Sequence, residues 1–207
     1  THALVKLFRA VLDVVAPRVA LITETNVPHA DNVGYFGDGY DEAQMVYNFA
    51  LPPLVLHTFH TGSCATLAAW ARTLTKVSDT ATYFNFLSSH DGVGLLGARG
   101  ILTADEITAL VDRTVAHGGF VSYRSNGDGT QSPYELNITW YSALNREGSG
   151  ESQALQVARF LAARAVALPA LGAAAPASAQ TPEPQTTLPD VEDEVMCPVC
   201  GTTLELA

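Results

Sequence analysis

Two apolar runs of the sequence end in side chains that can carry out acid/base chemistry. Glu24 follows the run Val19–Thr23, and His90 and Asp91 follow the aromatic-rich run Ala81–Ser89. Barrel and doubly wound enzymes keep their catalytic groups at the carboxyl ends of parallel strands, where carboxylates can exchange protons with a substrate. The alternative is structural, since Glu24 and Asp91 could simply cap the loops or helices that follow.

Three stretches of the sequence are predicted to be strands of one parallel sheet. They are 19–24, 45–49 and 81–89. The first is apolar without alternation, so we expect it to be buried on both faces. A glycine-rich loop is predicted after it, over 28–40.

Helices are predicted around and between these strands. Apolar residues recur at helical spacing over 4–15, and Pro17 ends this helix. Leu51-Pro52-Pro53 opens a second helix, because proline fits a first turn. Ser63 is the predicted N-cap of a third helix, which ends near Leu74. This order of helices and strands is typical of a parallel α/β domain.

The segment 92–150 departs from that order and is predicted to be an inserted lid or substrate-binding subdomain. Thr103-Ala-Asp-Glu106 is a capping box that starts a helix reaching about His117. Asn126-Gly-Asp-Gly129 is a turn sequence between two paired strands. Those strands are predicted over 120–124 and 134–138. An apolar helix over 152–168 is expected to close the folded part.

Composition bounds the partners that the protein can have. The chain has 207 residues and a net charge of −10, which argues against nucleic acid and anionic membranes as main partners. Three cysteines do not make a disulfide scaffold. The chain starts at Thr1 inside a predicted helix, so we expect its beginning to be a cut through a domain.

Residues 1–168 contain several long motifs, which are Ile22–His29, Tyr35–Gly37, Asp41–Leu54, Phe84–Gly92 and Ser132–Asn137. Together these motifs closely resemble the sugar phosphorylase branch of glycoside hydrolase family thirteen. Within that branch they are most similar to glucosylglycerate phosphorylases and next to sucrose phosphorylases. The resemblance implies an α/β fold, a partial (β/α)8 TIM barrel. The chain would supply strands five to seven, the insertion after strand seven, and then a disordered tail.

The resemblance also implies roles for individual residues. Glu24 corresponds to the general acid/base of strand five. Asp91 corresponds to the carboxylate that stabilises the oxocarbenium-like transition state, with His90 on the same sugar. Tyr134 matches a tyrosine beside the phosphate and acceptor site. Glu135 replaces the glutamine usual in sucrose phosphorylases, which argues against sucrose as the substrate.

Two further residues are candidate substrate contacts. Arg99, in the loop after Asp91, is a candidate for an acceptor carboxylate or phosphate, although a solvated surface arginine is the alternative. Asn137 ends the motif that contains Tyr134. Asn137-Ile-Thr139 is also a formal glycosylation sequon, to which we give no weight because the expected location is cytoplasmic.

The expected chemistry is glucosyl transfer between an α-glucoside and inorganic phosphate by double displacement, without a cofactor or metal. In the family an aspartate on strand four attacks the anomeric carbon, and an arginine precedes it by two residues. Neither residue has a counterpart here. The nearest candidate aspartate, Asp13, lies inside the first predicted helix and cannot take that role. We therefore expect the chain by itself to be inactive.

The tail has a different composition and a resemblance of its own. Segment 169–190 is an Ala/Pro-rich linker that, with Arg159 and Arg164 before it, resembles a secretory signal. Segment 191–207 resembles the start of a cytochrome c maturation thiol protein, which would make Cys197 and Cys200 redox thiols. Half of a zinc site is the other interpretation of this CxxC pair.

These features leave three hypotheses from different classes. The first is a fragment of a phosphorylase joined to the head of an unrelated protein, with the tail exported if it is a genuine separate protein. The second treats the thiol segment as a redox and haem-handling module. The third is a catalytically silent sugar-binding remnant, which is disfavoured because an open sheet exposes two edges.

Overall fold

The computed structural model describes residues 1–167. The predictions for the linker 169–190, for the segment 191–207 and for Cys197 and Cys200 lie outside this part of the chain.

A three-stranded parallel sheet is the first of two sheets in the described residues. Its strands are β1 (Ile22–Thr23), β2 (Met45–Tyr47) and β3 (Thr82–Phe84), in the order β1-β2-β3. Ile22 pairs with Met45, and Met45 pairs with Thr82. The predicted parallel arrangement is confirmed, and each strand is shorter than predicted.

The expectation that the first strand is buried on both faces is wrong. Val19 and Ile22 are 49% and 44% exposed, because β1 is an edge strand whose sheet partner among the described residues is β2 alone. Its buried support is polar: Arg9 donates to the Val19 carbonyl (3.0 Å) and to Gln44 Oε1 (2.7 Å). The same Gln44 oxygen accepts the Leu21 N–H at 2.8 Å.

Three helices accompany the parallel strands. They are α1 (His2–Val15), α3 (Leu51–Thr61) and α4 (Ala65–Ala71). Pro52 lies in the first turn of α3, as predicted, and Gly62 ends it with a left-handed φ of 71°. The third predicted helix is shorter than expected, and Cys64, not Ser63, is its N-cap.

The prediction of a loop over 28–40 is wrong in its first half. Helix α2 (His29–Val33) and a 3-10 turn (Gly34–Phe36) occupy it. Asn32 explains the helix, since this buried side chain donates to the Tyr47 carbonyl at 2.7 Å and accepts from Thr25 Oγ1 at 2.9 Å. Tertiary hydrogen bonds therefore override the loop signal of the glycines.

The second sheet is antiparallel and comes from the segment after Asp91. Its order is β4-β6-β5, with strands β4 (Val93–Gly94), β5 (Phe120–Ser125) and β6 (Gln131–Asn137). The predicted hairpin and its turn are confirmed, with Gly129 N–H donating to the Asn126 carbonyl at 3.1 Å. Helix α5 (Ala104–Ala116) begins with the predicted capping box of Thr103 and Glu106.

Two last helices, α6 (Trp140–Leu144) and α7 (Gln153–Val166), complete the described residues. The main hydrophobic core joins α3 to the elements that follow Asp91. Its fully buried members include Leu54, Leu95, Leu110 and Leu136. Segment 92–150 therefore packs on the same core as α3. No helix in residues 1–167 combines the length and apolarity that crossing a membrane requires.

His60, near the end of α3, should make the stability of this core dependent on pH. Burial, the largest cause, acts together with the charges of Arg113, His117 and His57 to lower the pKa of His60 from 6.5 to about 4. The Ala143 carbonyl that bonds to its ring (3.0 Å) acts in the opposite direction. The unfolded chain then binds a proton at a higher pH than the folded chain. We expect stability to be complete above about pH 6.5 and to fall by about 1 to 3 kcal/mol towards pH 4.

His60→Gln isolates this contribution, because glutamine can still donate to the Ala143 carbonyl and does not titrate. Urea unfolding at several pH values between 4.5 and 7.5 should show a smaller acid loss for His60→Gln than for the wild type. His90→Gln is the control, since His90 is largely exposed. If the free energy of unfolding fell equally with decreasing pH in the wild type and in His60→Gln, the expectation would be contradicted.

Candidate active site

A cleft of about 320 Å³ opens beyond the carboxyl end of the parallel sheet. Its lining combines carboxylates, an imidazole, an amide and two aromatic rings. The lining residues are Glu24, Asn26, Phe49, His90, Asp91, Tyr134 and Glu135. Four of the predicted site residues, Glu24, His90, Asp91 and Tyr134, are thus brought together by the fold.

Three different parts of the fold supply these side chains. Glu24 comes directly after β1, as predicted. His90 and Asp91 lie in the irregular segment between β3, which ends at Phe84, and β4. The prediction that His90 and Asp91 directly follow a strand is therefore wrong, because an irregular segment separates them from β3. The segment still brings them to Glu24, because the carboxyl ends of parallel neighbours meet at one edge of the sheet.

The second sheet delivers the other side of the cleft. Gly94 of β4 pairs with Glu135 of β6, and the Leu95 N–H donates to the Tyr134 carbonyl at 2.9 Å. Tyr134 and Glu135 are therefore fixed to the segment that follows Asp91. The sequence did not predict that the segment after Asp91 pairs with the strand of Tyr134, because Asp91 and Tyr134 are far apart in the chain.

Glu24, His90 and Asp91 form an exposed cluster. One polar atom from each of the three side chains lies within 4.8 Å of the others, and His90 Nε2 is 3.6 Å from Asp91 Oδ1. Two carboxylates and an imidazole at this spacing can contact neighbouring polar atoms of one small molecule. They are also close enough together to coordinate one divalent cation.

Glu135 is the half-buried carboxyl group of the cleft. Burial and the negative charge of Asp91 raise the pKa of Glu135, while the backbone N–H of Gly92 acts in the opposite direction. A carboxyl group in such surroundings keeps a proton at a higher pH than an exposed glutamate does.

Phe49, which lines the cleft, belongs to an aromatic cluster at the ends of β2 and β3. Phe49 packs edge-on against Phe86, with ring centroids 5.3 Å apart, and Tyr47 stacks on Phe84 at 4.7 Å. The buried Asn48 side chain donates to Asn85 Oδ1 at 2.8 Å. These contacts tie the ends of β2 and β3 together just before His90 and Asp91.

Two predicted substrate contacts lie away from the cleft lining. Arg99 donates from Nη2 to Ser132 Oγ at 2.7 Å, and Asn137 donates from Nδ2 to Ser122 Oγ at 2.8 Å. Both therefore brace the second sheet. Arg99 fastens the segment after Asp91 to β6, and Asn137 links the two strands of the hairpin.

Sequence reasoning missed Asn26 and Phe49 as cleft residues. The signal for Asn26 was its spacing of two from Glu24, because alternate residues of an extended segment point to the same side. Phe49 ends the second predicted strand, so its place at the sheet edge also followed from the pattern. Glu135 was singled out for its residue type and not for its position.

Comparisons with known proteins give consistent results. A glucosylglycerate phosphorylase of Allomeiothermus silvanus is 53% identical over 167 residues, which cover 81% of this chain and 30% of the relative. The glucosylglycerate phosphorylase of Escherichia coli is 50% identical over 168 residues, with the same coverage of both chains. A sucrose phosphorylase of Streptococcus mutans is 30% identical over 131 residues, 62% of this chain and 25% of its own length.

A solved structure resembles the described fold. The sucrose 6F-phosphate phosphorylase of Thermoanaerobacter thermosaccharolyticum superposes with a TM-score of 0.55 over 72% of this chain and 28% of that protein, at 24% identity. No protein-family model matches the chain. The chain spans about 30% of the length of the glucosylglycerate phosphorylases that it matches. These similarities confirm that the matched part of the chain resembles the sugar phosphorylase branch of glycoside hydrolase family thirteen.

Proposed function

We propose that this chain is part of a retaining α-glucoside phosphorylase that transfers glucose between glucosylglycerate and inorganic phosphate. The observation that carries the proposal is the convergence of Glu24, His90 and Asp91 within 4.8 Å at the carboxyl edge of the sheet. The same chain is 53% identical to a glucosylglycerate phosphorylase. The proposed co-substrate is phosphate, and no cofactor or metal is required.

In the first step, Glu24 protonates the glycosidic oxygen of the leaving group while an aspartate carboxylate attacks the anomeric carbon. That aspartate would come from a barrel strand outside the described residues. Asp91 faces the ring and stabilises the positive charge that develops on it, and His90 binds a hydroxyl of the same sugar. The step leaves a covalent glucosyl-enzyme, a free acceptor and a deprotonated Glu24.

In the second step, a phosphate oxygen attacks the anomeric carbon and the bond to the aspartate breaks. Glu24 takes up the proton that the phosphate loses, which restores the starting state. The described lining holds the carboxylates of Glu24, Asp91 and Glu135 and contains neither lysine nor arginine. The positive charge that binds phosphate would therefore come from barrel segments outside the described residues.

The acceptor would lie against Tyr134, Glu135 and Asn26, on the side of the cleft that the second sheet provides. Glu135, whose pKa is raised by burial and by the charge of Asp91, would then lie beside an acceptor such as glycerate. Arg99 and Asn137 would act indirectly, by bracing the second sheet through their hydrogen bonds to Ser132 and Ser122.

The partial-barrel part of the proposal is supported by surfaces that the described residues leave open. The apolar face of α1 is about half exposed or more, with Phe8 at 53% and Val14 at 82%. Within residues 1–167, both β1 and β3 have one unpaired edge. A preceding helix and strand of a (β/α)8 barrel would cover α1 and β1, and a following strand would pair with β3. A phosphorylase assembled in this way would act in the cytoplasm.

A chimera tests the proposal. Residues 1–167 replace the matching segment of the Allomeiothermus silvanus phosphorylase, which supplies the rest of the barrel. We expect phosphate-dependent release of glycerate from glucosylglycerate, with glucose 1-phosphate of retained configuration detected by NMR. A folded chimera that releases glucose in the absence of phosphate, or that lacks activity, would contradict the proposal.

A further inference from the structure

The segment that follows Asp91 contains glycines whose neighbours leave no room for a side chain. A Cβ atom on Gly92 would lie 2.5 Å from the Leu136 carbonyl oxygen, and one on Gly97 would lie 2.5 Å from the Phe49 carbonyl carbon. Both neighbours are backbone atoms, which cannot move without shifting a strand or helix. These two glycines are therefore constrained by the fold.

Gly94 differs, because its close neighbour is a side chain of the cleft. A Cβ atom on Gly94 would lie 2.6 Å from Asn26 Nδ2, 2.9 Å from Cγ and 3.0 Å from Oδ1. The amide group of Asn26 thus lies flat against the Gly94 backbone. Gly94 does not have a positive φ, so space, and not backbone conformation, is the reason for glycine here.

Packing, and not hydrogen bonding, surrounds the Asn26 side chain in the described residues. Among residues 1–167 its side chain makes no hydrogen bond, and its Oδ1 atom is buried without a partner. An amide without hydrogen bonds can be held in place by packing alone. Gly94 forms part of the surface that packs against Asn26. Gly94 also pairs with Glu135, since β4 is hydrogen-bonded to β6.

We propose that Gly94 is a positioning residue that sets the place of the Asn26 amide in the cleft, and thereby the affinity for the acceptor part of the substrate. This inference rests on the proposed function. Gly94 joins three features of the site, since it lies in the segment after Asp91, contacts Asn26 and pairs with Glu135. A change there moves the acceptor side of the cleft and leaves Glu24 and Asp91 in place.

Gly94→Ala adds one methyl group at this contact. The Asn26 amide must then move by about 1 Å to reach ordinary van der Waals distance. Because a shift of that size can cost up to about 100-fold when it misplaces a group that orients substrate, we expect about a tenfold rise in KM for glucosylglycerate. The kcat should change by less than about threefold, since the acid/base group does not move.

The measurement is steady-state kinetics of the chimera described above, for Gly94→Ala, Asn26→Ala and the double variant. Asn26→Ala removes the side chain that an alanine at position 94 would displace. If Gly94 acts through Asn26, the double variant has the KM of Asn26→Ala alone. Gly127→Ala is the matched control, because a Cβ at Gly127 has no heavy atom within 4 Å.

Two outcomes would overturn the inference. One is a KM for Gly94→Ala equal to that of Gly127→Ala. The other is an effect of Gly94→Ala that persists in full in the Asn26→Ala background, which would mean a general disturbance of β4. Thermal unfolding of the 207-residue chain carrying Gly94→Ala distinguishes misfolding from misplacement. An inactive chimera without any substitution would instead contradict the proposed function.

Discussion

Glu24→Gln in the chimera should lower kcat/KM for glucosylglycerate by about 10³-fold, the largest effect that we expect from a residue of this cleft. A glutamine side chain keeps the shape of glutamate and cannot transfer a proton, and general acid/base catalysis contributes about 10² to 10⁴ in rate. The glycerate leaving group needs that proton, because an alkoxide is a poor leaving group.

The substrate dependence of this loss identifies the role of Glu24. With α-glucosyl fluoride the leaving group departs without a proton, and phosphate dianion attacks the glucosyl-enzyme without a base. The loss should then shrink to about tenfold or less. Glu147→Gln is the control, since Glu147 is exposed and distant in sequence from the cleft residues. Equal losses with both substrates would show that Glu24 supports structure and not proton transfer.

Asp91→Asn should lower kcat of the chimera by about 10² to 10³, because in the proposed mechanism the cleft loses a negative charge that would face the developing oxocarbenium ion. Removing one preorganised electrostatic contact in other enzymes costs a factor of that size. The KM should change less, since the charge on the sugar develops only in the transition state.

The same substitution has a second readout that needs no catalysis. The negative charge of Asp91 is one of the causes that raise the pKa of Glu135, so Asp91→Asn should lower that pKa. Carboxyl carbon-13 NMR of the 207-residue chain measures this titration directly. Asp112→Asn, which alters an exposed carboxylate on α5, should leave it unchanged. An unaltered Glu135 titration in Asp91→Asn would mean that the two carboxyl groups are not neighbours in solution.

Much of the local structure followed from sequence patterns with a direct physical cause. Thr103 and Glu106 reciprocally satisfy backbone donors at the start of α5. Asn126-Gly-Asp-Gly129 has the backbone freedom that a hairpin turn needs. The apolar runs predicted the three parallel strands, since hydrophobic patterning and the order of elements are properties of the chain itself.

Other features depended on partners that are distant in the sequence. Helix α2 forms where glycines predicted a loop, because Asn32 finds the Tyr47 carbonyl. Val19 and Ile22 are apolar and yet exposed, because β1 lies at an edge of the parallel sheet that the described residues form. Strand β3 ends at Phe84, six residues before His90, whereas the aromatic run predicted a strand that continues up to His90 and Asp91.

The sequence by itself determined which residues can do chemistry, the parallel order of the strands that carry them, and the similarity to sugar phosphorylases. Only the tertiary structure decided which of those residues meet. It brings Glu24, His90, Asp91 and Tyr134 into one cleft, adds Asn26, Phe49 and Glu135, and turns Arg99 and Asn137 to the second sheet. The physical reason is that residue type and spacing fix local conformation, whereas a cleft is made by the packing of elements far apart in the chain.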